Sequence, residues 1–215
     1  MLTKNTVNSE ATMELFSRYP ALNVIKDDIL KALSKMLDCY KKGGKILICG
    51  NGGSASDSAH IAGELLKDFA KKRPIDDDFK QKLSAISDSG KETACVLQKG
   101  VPCIDLTALT SALTAVGNDA DFKFGYAQLF YALASKDDIL IGLSTSGNSK
   151  NVVKAIEVAK ALNIATIGFT GANGGKLSEL CDVCIKAPET ETYKIQEYHL
   201  PIYHFLCLEI EKTLF

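Results

Sequence analysis

The sequence has no surplus of either charge: its 25 basic side chains stand against 26 acidic ones, a formal net charge of −1 over 215 residues. Nucleic-acid backbones and anionic membrane surfaces are held by a basic excess, so neither kind of partner is expected. The one short basic run, Lys71-Lys72-Arg73, reads as a solvated helix end. No stretch approaches the ~18 consecutive apolar residues of a membrane-spanning helix. Met1 to Glu10 is polar, without the apolar segment of a secretory signal, so the expected location is the cytoplasm. Cysteines number seven, an odd count, at positions 39, 49, 95, 103, 181, 184 and 207. Several lie inside apolar runs such as Ile46-Leu47-Ile48-Cys49, which indicates reduced, buried thiols rather than a disulfide framework. Cys181 and Cys184 have the spacing of a metal or redox pair. They lack a second pair and overlap an alternating run with Val183 and Ile185, so a core strand is the reading preferred. Also missing are the Gly-Lys-Ser/Thr ending of a Walker loop and a Gly-x-Gly-x-x-Gly fingerprint, which argues against nucleoside triphosphates and dinucleotides. Histidine is scarce, with only three: His60, His199 and His204.

What is present is an ordinary globular composition, 46% hydrophobic and 24% charged, in a chain long enough for one domain with a full core or at most two small ones. The N-terminal region reads as helices over about 5–42. Apolar positions at helical spacing run from Leu22 through Ile25, Ile29, Leu33 and Met36 to Tyr40, and Gly43-Gly44 ends the run. Lys45 to Cys49 is a short buried strand. It leads into the turn cluster Gly50-Asn51-Gly52-Gly53-Ser54 and a helix from about Ser56 to Lys71. The same order recurs: a strand over 138–143, a polar loop over 144–149 and a helix over 151–162. It recurs again as a strand over 164–169, a Gly-rich loop over 170–175 and a short helix. Further expected elements are a strand near 102–106, helices near 107–116 and 122–135, a last strand over 183–185, and a long closing helix over 193–215 bent at Pro201. Residues 76–99 are polar with only weak helical periodicity, and read as an excursion, a lid or an interface arm. The pattern is that of a single α/β domain spanning 1–215, a doubly wound parallel sheet flanked by helices, with ligands expected at the carboxyl ends of the strands.

Ser144-Thr145-Ser146-Gly147-Asn148-Ser149 follows a strand and opens a helix. Hydroxyls and free backbone N–H groups can converge there on an anion, helped by the positive end of the helix dipole. Without a lysine, such a loop suits a phosphate monoester; its other use is as a ligand-free helix cap, since Ser and Asn cap helices routinely. Asn51-Gly52-Gly53 permits close backbone approach and would form a second wall. His60 and Glu64, four apart, share one helix face. If the C-terminal helix borders the same pocket, His60, Glu64, Gln196 and His204 could form a mixed N/O site for Zn²⁺ or another divalent metal. Taken alone, His60 and Glu64 are an ordinary helix-surface pair. His199 reads as a packed or supporting histidine.

These motifs together resemble a known family. Cys49-Gly50-Asn51-Gly52-Gly53-Ser54, His60 with Glu64, Gly117-Asn118-Asp119, Ser144 to Ser149, Thr170-Gly171 with Gly174-Gly175, and Ile195-Gln196-Glu197 with His204 resemble the phosphoheptose isomerases of the sugar isomerase (SIS) domain superfamily. The likeness runs from about residue 40 to the C-terminus apart from the 76–99 excursion. It implies a SIS-type, flavodoxin-like three-layer sandwich and aldose–ketose isomerisation of a phosphorylated sugar, with sedoheptulose 7-phosphate as the leading substrate. It further implies a zinc-assisted site held by His60, Glu64, Gln196 and His204, with the two helices meeting at a subunit interface of a homotetramer. Carried over by position, Glu64 would be the general base and His204 the paired acid, the division an enediol step needs. Asn51, Gly52, Gly53, Glu64, Asn118, Asp119, Ser144, Thr145, Ser146, Ser149 and Gln196 would contact the sugar phosphate. The chain departs from the family pattern at Ala55, at Asp68 where an Arg is common, and at Tyr193 where an Asp is common. Non-catalytic SIS modules, such as the DnaA initiator-associating proteins, share the scaffold without the metal-ligand set; a sensor or protein-binding regulator of that kind is the alternative.

Overall fold

The computed structural model describes residues 9–215. Its centre is a five-stranded, all-parallel sheet of order β2-β1-β3-β4-β5, formed by β1 (Ile46–Cys49), β2 (Cys103–Asp105), β3 (Ile139–Leu143), β4 (Ala165–Thr170) and β5 (Val183–Lys186). A parallel sheet needs both faces covered, and its strands therefore read as continuous apolar runs; every residue of β1 and β3 is buried.

Alternate side chains of these strands feed two separate cores. On one face Ile46, Ile48, Ile139, Ile141, Ile167 and Ile185 pack under α2 (Lys26–Lys41), α3 (Gly53–Leu66) and α10 (Thr192–Leu214). On the other, Leu47, Cys49 and Leu140 meet α6 (Thr110–Asp119), α7 (Gly125–Leu133), α8 (Lys150–Ala161) and α9 (Gly175–Leu180). The result is three layers, helix–sheet–helix, as expected. β1 and β3 are neighbours while their connections run to opposite sides, so the strand order reverses between them; ligands of doubly wound sheets bind at that crevice.

Several boundaries differ from the sequence reading, each for a local reason. The start of the N-terminal helices near residue 5 lies outside the described residues. Beyond it the helical region is interrupted: α1 (Glu10–Arg18) is followed by a 3-10 turn over Pro20–Ile25 before α2 begins. Ser9 caps α1 by accepting from the Thr12 amide and donates to Glu209 of α10, fixing α1 to the C-terminal helix. Helix α3 starts at Gly53, inside the glycine cluster, and stops at Leu66 rather than Lys71. The basic run after it is not wholly solvated. Arg73 is 1% exposed and paired with Glu211 of α10, its Nε donating at 2.7 Å.

The 76–99 excursion is two short helices, α4 (Asp77–Ser84) and α5 (Asp88–Val96), packed on each other and closed at the base by an antiparallel bridge between Pro74 and Gln98. The last helix runs through Pro201 without interruption. All seven cysteines are free. Cys184 sits in β5 and Cys181 at the end of α9, both partly buried, and burial pushes the Cys181 thiol up to about 12. Among the described residues no helix is long and apolar enough to cross a membrane.

Candidate active site

Two uncapped helix N-termini meet at the β1/β3 crevice. α3 begins behind Gly52, at φ 55°, and α8 behind Ser149; neither has a side-chain cap. Some first-turn N–H groups are held locally, Ser54 by the Asn51 carbonyl, Ala55 and Ser56 by that of Gly52 and Val152 by Asn151 Oδ1, and the dipole of each helix favours an anion in front of its start. A reciprocal amide pair ties the two starts together: Asn51 Nδ2 donates to Asn151 Oδ1 at 2.9 Å, and Asn151 Nδ2 donates back to Asn51 Oδ1 at 2.8 Å.

The hydroxyls of the second loop face one another. Ser144 Oγ lies 2.8 Å from Ser149 Oγ and 3.5 Å from Ser146 Oγ. The Ser149 hydroxyl makes no cap bond, while Ser144 Oγ accepts from the Ser149 amide at 3.3 Å and Ser146 Oγ from the Asn148 amide at 3.2 Å. The loop is held from outside by Gly147, at φ +67°, where an added Cβ would fall 1.9 Å from the Gly174 carbonyl oxygen. Only glycine allows that approach of the 144–149 loop to the 170–175 loop. A cleft of about 230 Å³ opens beside Thr145 and Ser146, closed by Asn173, Glu189, Thr190 and Thr192. The sequence reading missed these last four. Their signal was position: Thr190 and Thr192 stand within two turns before Gln196.

Gln196, from α10, packs on the first loop; a Cβ on Gly53 would lie 2.5 Å from Gln196 Nε2. Two turns along, at Tyr203 and His204, α10 meets α3. His60 Nε2 is 3.3 Å from Glu64 Oε1 and 3.4 Å from His204 Nε2. His60 and His204 remain within reach of solvent, whereas Glu64 is mostly covered, with its Oε2 buried and without a hydrogen-bond partner. Burial and the charge of His60 hold His204 below its ordinary value, against the opposing pull of Glu64. His199 is fully buried, its Nε2 3.2 Å from the Thr170 carbonyl oxygen and its ring edge-on to Phe169, the supporting role expected. Asn118 and Asp119 stand exposed at the end of α6, hydrogen-bonded to each other at 2.9 Å.

The donor chemistry suits a divalent cation, with two imidazoles, a carboxylate and a carboxamide. The two pair distances match the ligand–ligand edge, roughly 3.4 Å, of a tetrahedron with bonds of about 2.1 Å. The fit is pairwise only. Among the described residues no group of three or more His, Cys, Asp or Glu side chains is set to hold a metal ion.

The sheet order is that of flavodoxin-like doubly wound domains, with a hydroxyl-lined loop at the switch point, and residues 20–171 match the family described as "SIS domain". The chain is 42% identical to phosphoheptose isomerase 2 of Campylobacter jejuni over 197 residues, 89% of this chain and 86% of that one. It is 40% identical to the phosphoheptose isomerase of Aneurinibacillus thermoaerophilus over 87% of this chain and 82% of the relative. Among solved structures, a phosphoheptose isomerase from Francisella tularensis superposes with TM-score 0.75 at 30% identity, covering 99% of this chain and 100% of its own. That of Neisseria gonorrhoeae superposes with TM-score 0.73 at 32% identity, over 93% and 94%. The chain belongs to the phosphoheptose isomerase family and is a phosphosugar isomerase.

Proposed function

We propose that the chain interconverts sedoheptulose 7-phosphate and D-glycero-D-manno-heptose 7-phosphate by proton transfer through an enediol. One observation carries this reading: Glu64 Oε1 and His204 Nε2, from two helices far apart in sequence, each lie within 3.4 Å of the same His60 nitrogen. Shifting a carbonyl to the neighbouring carbon needs one group to take a proton from carbon while another gives one to oxygen. Glu64 is the base. Its Oε1 faces the cluster, 3.3 Å from His60 Nε2, while Oε2 is buried with the Lys67 ammonium 3.6 Å away. His204 is the acid at the carbonyl oxygen. A histidine held below its ordinary value gives up an acquired proton readily.

The phosphate monoester lies against Ser144, Thr145, Ser146 and Ser149 at the start of α8. Asn51, Gly52, Gly53 and Gln196 flank the sugar carbons, with Asn118 and Asp119 as further sugar contacts. The donor set of His60, Glu64, Gln196 and His204 is that of a Zn²⁺ site. A divalent ion bound there would supply Lewis-acid polarisation of the substrate carbonyl. The same reading makes the enzyme a homotetramer of the cytoplasm. Seven free thiols support a reducing compartment. Exposed Tyr193 and Leu200 on α10, 57% and 41% accessible, leave apolar surface beside the site for a neighbouring subunit.

A panel of pentose, hexose and heptose phosphates, assayed with and without added Zn²⁺, tests this. The heptose phosphate is expected to give the highest kcat/KM. Glu64→Gln is expected to lower kcat by about 10²–10⁴ with an unchanged circular dichroism spectrum, because shape is kept and the base lost. Undiminished turnover in that variant would remove Glu64 from the mechanism.

A further inference from the structure

Behind the His60–Glu64–His204 cluster stands a side chain outside the four candidate donors. Tyr203 is 2% exposed on α10. Its hydroxyl oxygen lies 3.1 Å from His60 Nδ1 and 3.3 Å from Asp57 Oδ1. Its ring stands edge-on to both imidazoles, with centroids 5.3 Å from His60 and 5.0 Å from His204. Asp57 leaves α3 one turn before His60 and has its other oxygen, Oδ2, buried without a partner.

Counting protons decides which way these bonds run. A tyrosine hydroxyl has one hydrogen to give and lone pairs to receive; a carboxylate only receives; a neutral imidazole gives from one nitrogen and receives at the other. If Tyr203 gave its proton to His60, Asp57 would lose the hydrogen bond at Oδ1 while its Oδ2 is already buried without a partner, an unfavourable state for a carboxylate. If it gives the proton to Asp57 instead, its oxygen receives from His60 Nδ1–H, and every member of the chain is served except Oδ2. The second arrangement fixes the opposite nitrogen, His60 Nε2, as a bare acceptor. That nitrogen faces His204 Nε2, whose N–H can donate to it, and Glu64 Oε1, a second acceptor, so a proton or cation shared between the two completes the arrangement.

We infer that Tyr203 is a positioning residue: its hydroxyl, bridging Asp57 and His60, locks His60 in the Nδ1–H tautomer and aims the Nε2 lone pair into the site. The inference rests on the isomerase reading for its functional consequence, but the lock itself is a property of the three side chains. A histidine ligand or relay whose far nitrogen is held by a hydrogen bond keeps both tautomer and ring orientation, and removing such a partner typically costs 10–100-fold in metal affinity or activity. Sequence spacing did not single out Tyr203 or Asp57. Each lies beside a candidate residue, and their meeting depends on α3 crossing α10.

The test uses the whole protein and two variants. With only three histidines in the chain, long-range ¹⁵N–¹H correlation of the rings resolves His60 once His199 and His204 are assigned by substitution. The wild type is expected to show a protonated Nδ1 and a bare Nε2 at His60. Tyr203→Phe keeps the ring and loses the hydroxyl, and is expected to shift His60 toward the Nε2–H form. Asp57→Ala keeps the hydroxyl and frees it to turn on His60 Nδ1; the same shift is expected, which a packing role of the Tyr203 ring alone would not produce. In both, kcat should fall about tenfold with KM within twofold of the wild type. Unchanged His60 nitrogen shifts in the two variants overturn the inference, whatever the activity. If the shifts move in a protein that isomerises no sugar phosphate, the lock stands and the isomerase reading is the one that fails.

Discussion

At the scale of single residues, the anion cradle is built from side chains that a sequence alone makes ambiguous. Ser, Thr and Asn at the start of a helix serve equally as caps or as ligands for an anion. What separates the two uses here is that Ser149 makes no cap bond, while Ser144, Ser146 and Ser149 turn their oxygens toward one another at 2.8 and 3.5 Å. Those hydroxyls have hydrogens to give, and a phosphate oxygen is a better acceptor than a second serine. Ser146→Ala combined with Ser149→Ala is therefore expected to weaken binding of a heptose phosphate by one to two orders of magnitude, since a hydrogen bond to a charged group contributes about 1.5–3 kcal/mol. Stability should change little, because Ser149 makes no cap bond and the Asn148 amide that Ser146 receives is exposed to water. Calorimetry giving an unchanged Kd would place the phosphate elsewhere. Gly147 belongs to the same argument from the opposite side: it contributes no contact, only the absence of a Cβ that would strike Gly174.

At the scale of elements, the active arrangement depends on how α3 is held against α10. α3 stops at Leu66, and Arg73 caps its last carbonyls, donating from Nη1 to Leu65 O at 2.9 Å, which also receives the Val101 amide at 2.8 Å, and from Nη2 to Glu64 O at 3.1 Å. Glu211 of α10 holds Arg73 in place and also receives the amides of Phe69, Ala70 and Lys71. Burial raises the Glu211 carboxyl, but the Phe69 and Ala70 amides and Arg73 outweigh it, and the group lies below its ordinary value. One ion pair thus fastens the helix end that carries Glu64 to the helix that carries His204. Glu211→Leu would leave the Arg73 guanidinium buried without a counter-charge, and is expected to cost about 3–5 kcal/mol in urea denaturation; a loss under about 1 kcal/mol would show that Arg73 finds water instead. This clamp was invisible in the sequence. Lys71-Lys72-Arg73 looks like a solvated run because Glu211 is 138 positions away. Strands β1, β3 and β4 were legible, since a strand covered on both faces is a bare apolar run bounded by polar loops. The two helices of the 76–99 segment were not, because they bury almost nothing: α4 has no buried residue and α5 only Gly90 and Ala94. Periodicity is a record of burial, and where burial is missing there is little to read. His60, Glu64 and His204 were named from spacing and resemblance, whereas Tyr203 and Asp57 needed the crossing of α3 and α10 to be seen.

For the whole molecule, the same burial that makes His199 a supporting residue makes the fold sensitive to mild acid. The ring is fully enclosed, Nε2 gives its proton to the Thr170 carbonyl, and Nδ1 has no partner. Protonating Nδ1 would place an unpaired cation in the core, so burial pushes His199 down to about 4 from an ordinary 6.5, with the Thr170 bond opposing. The unfolded chain then binds the proton over that interval and the folded chain does not. Stability must accordingly fall as pH drops from about 6.5 to about 4 and level off below, with a contribution of ~3 kcal/mol from this one residue. The carboxylates held below their ordinary values, Glu211 among them, have the same sign but a lower window, losing their contribution only beneath their usual range near 4.5. His199→Gln keeps a donor for Thr170 and cannot titrate. Urea denaturation followed from pH 7 to pH 4 should therefore give a flatter profile for His199→Gln than for the wild type across the upper window, and parallel profiles beneath it. Two parallel profiles throughout would mean that His199 enters the folded state already charged, and that the bare Nδ1 has found a partner.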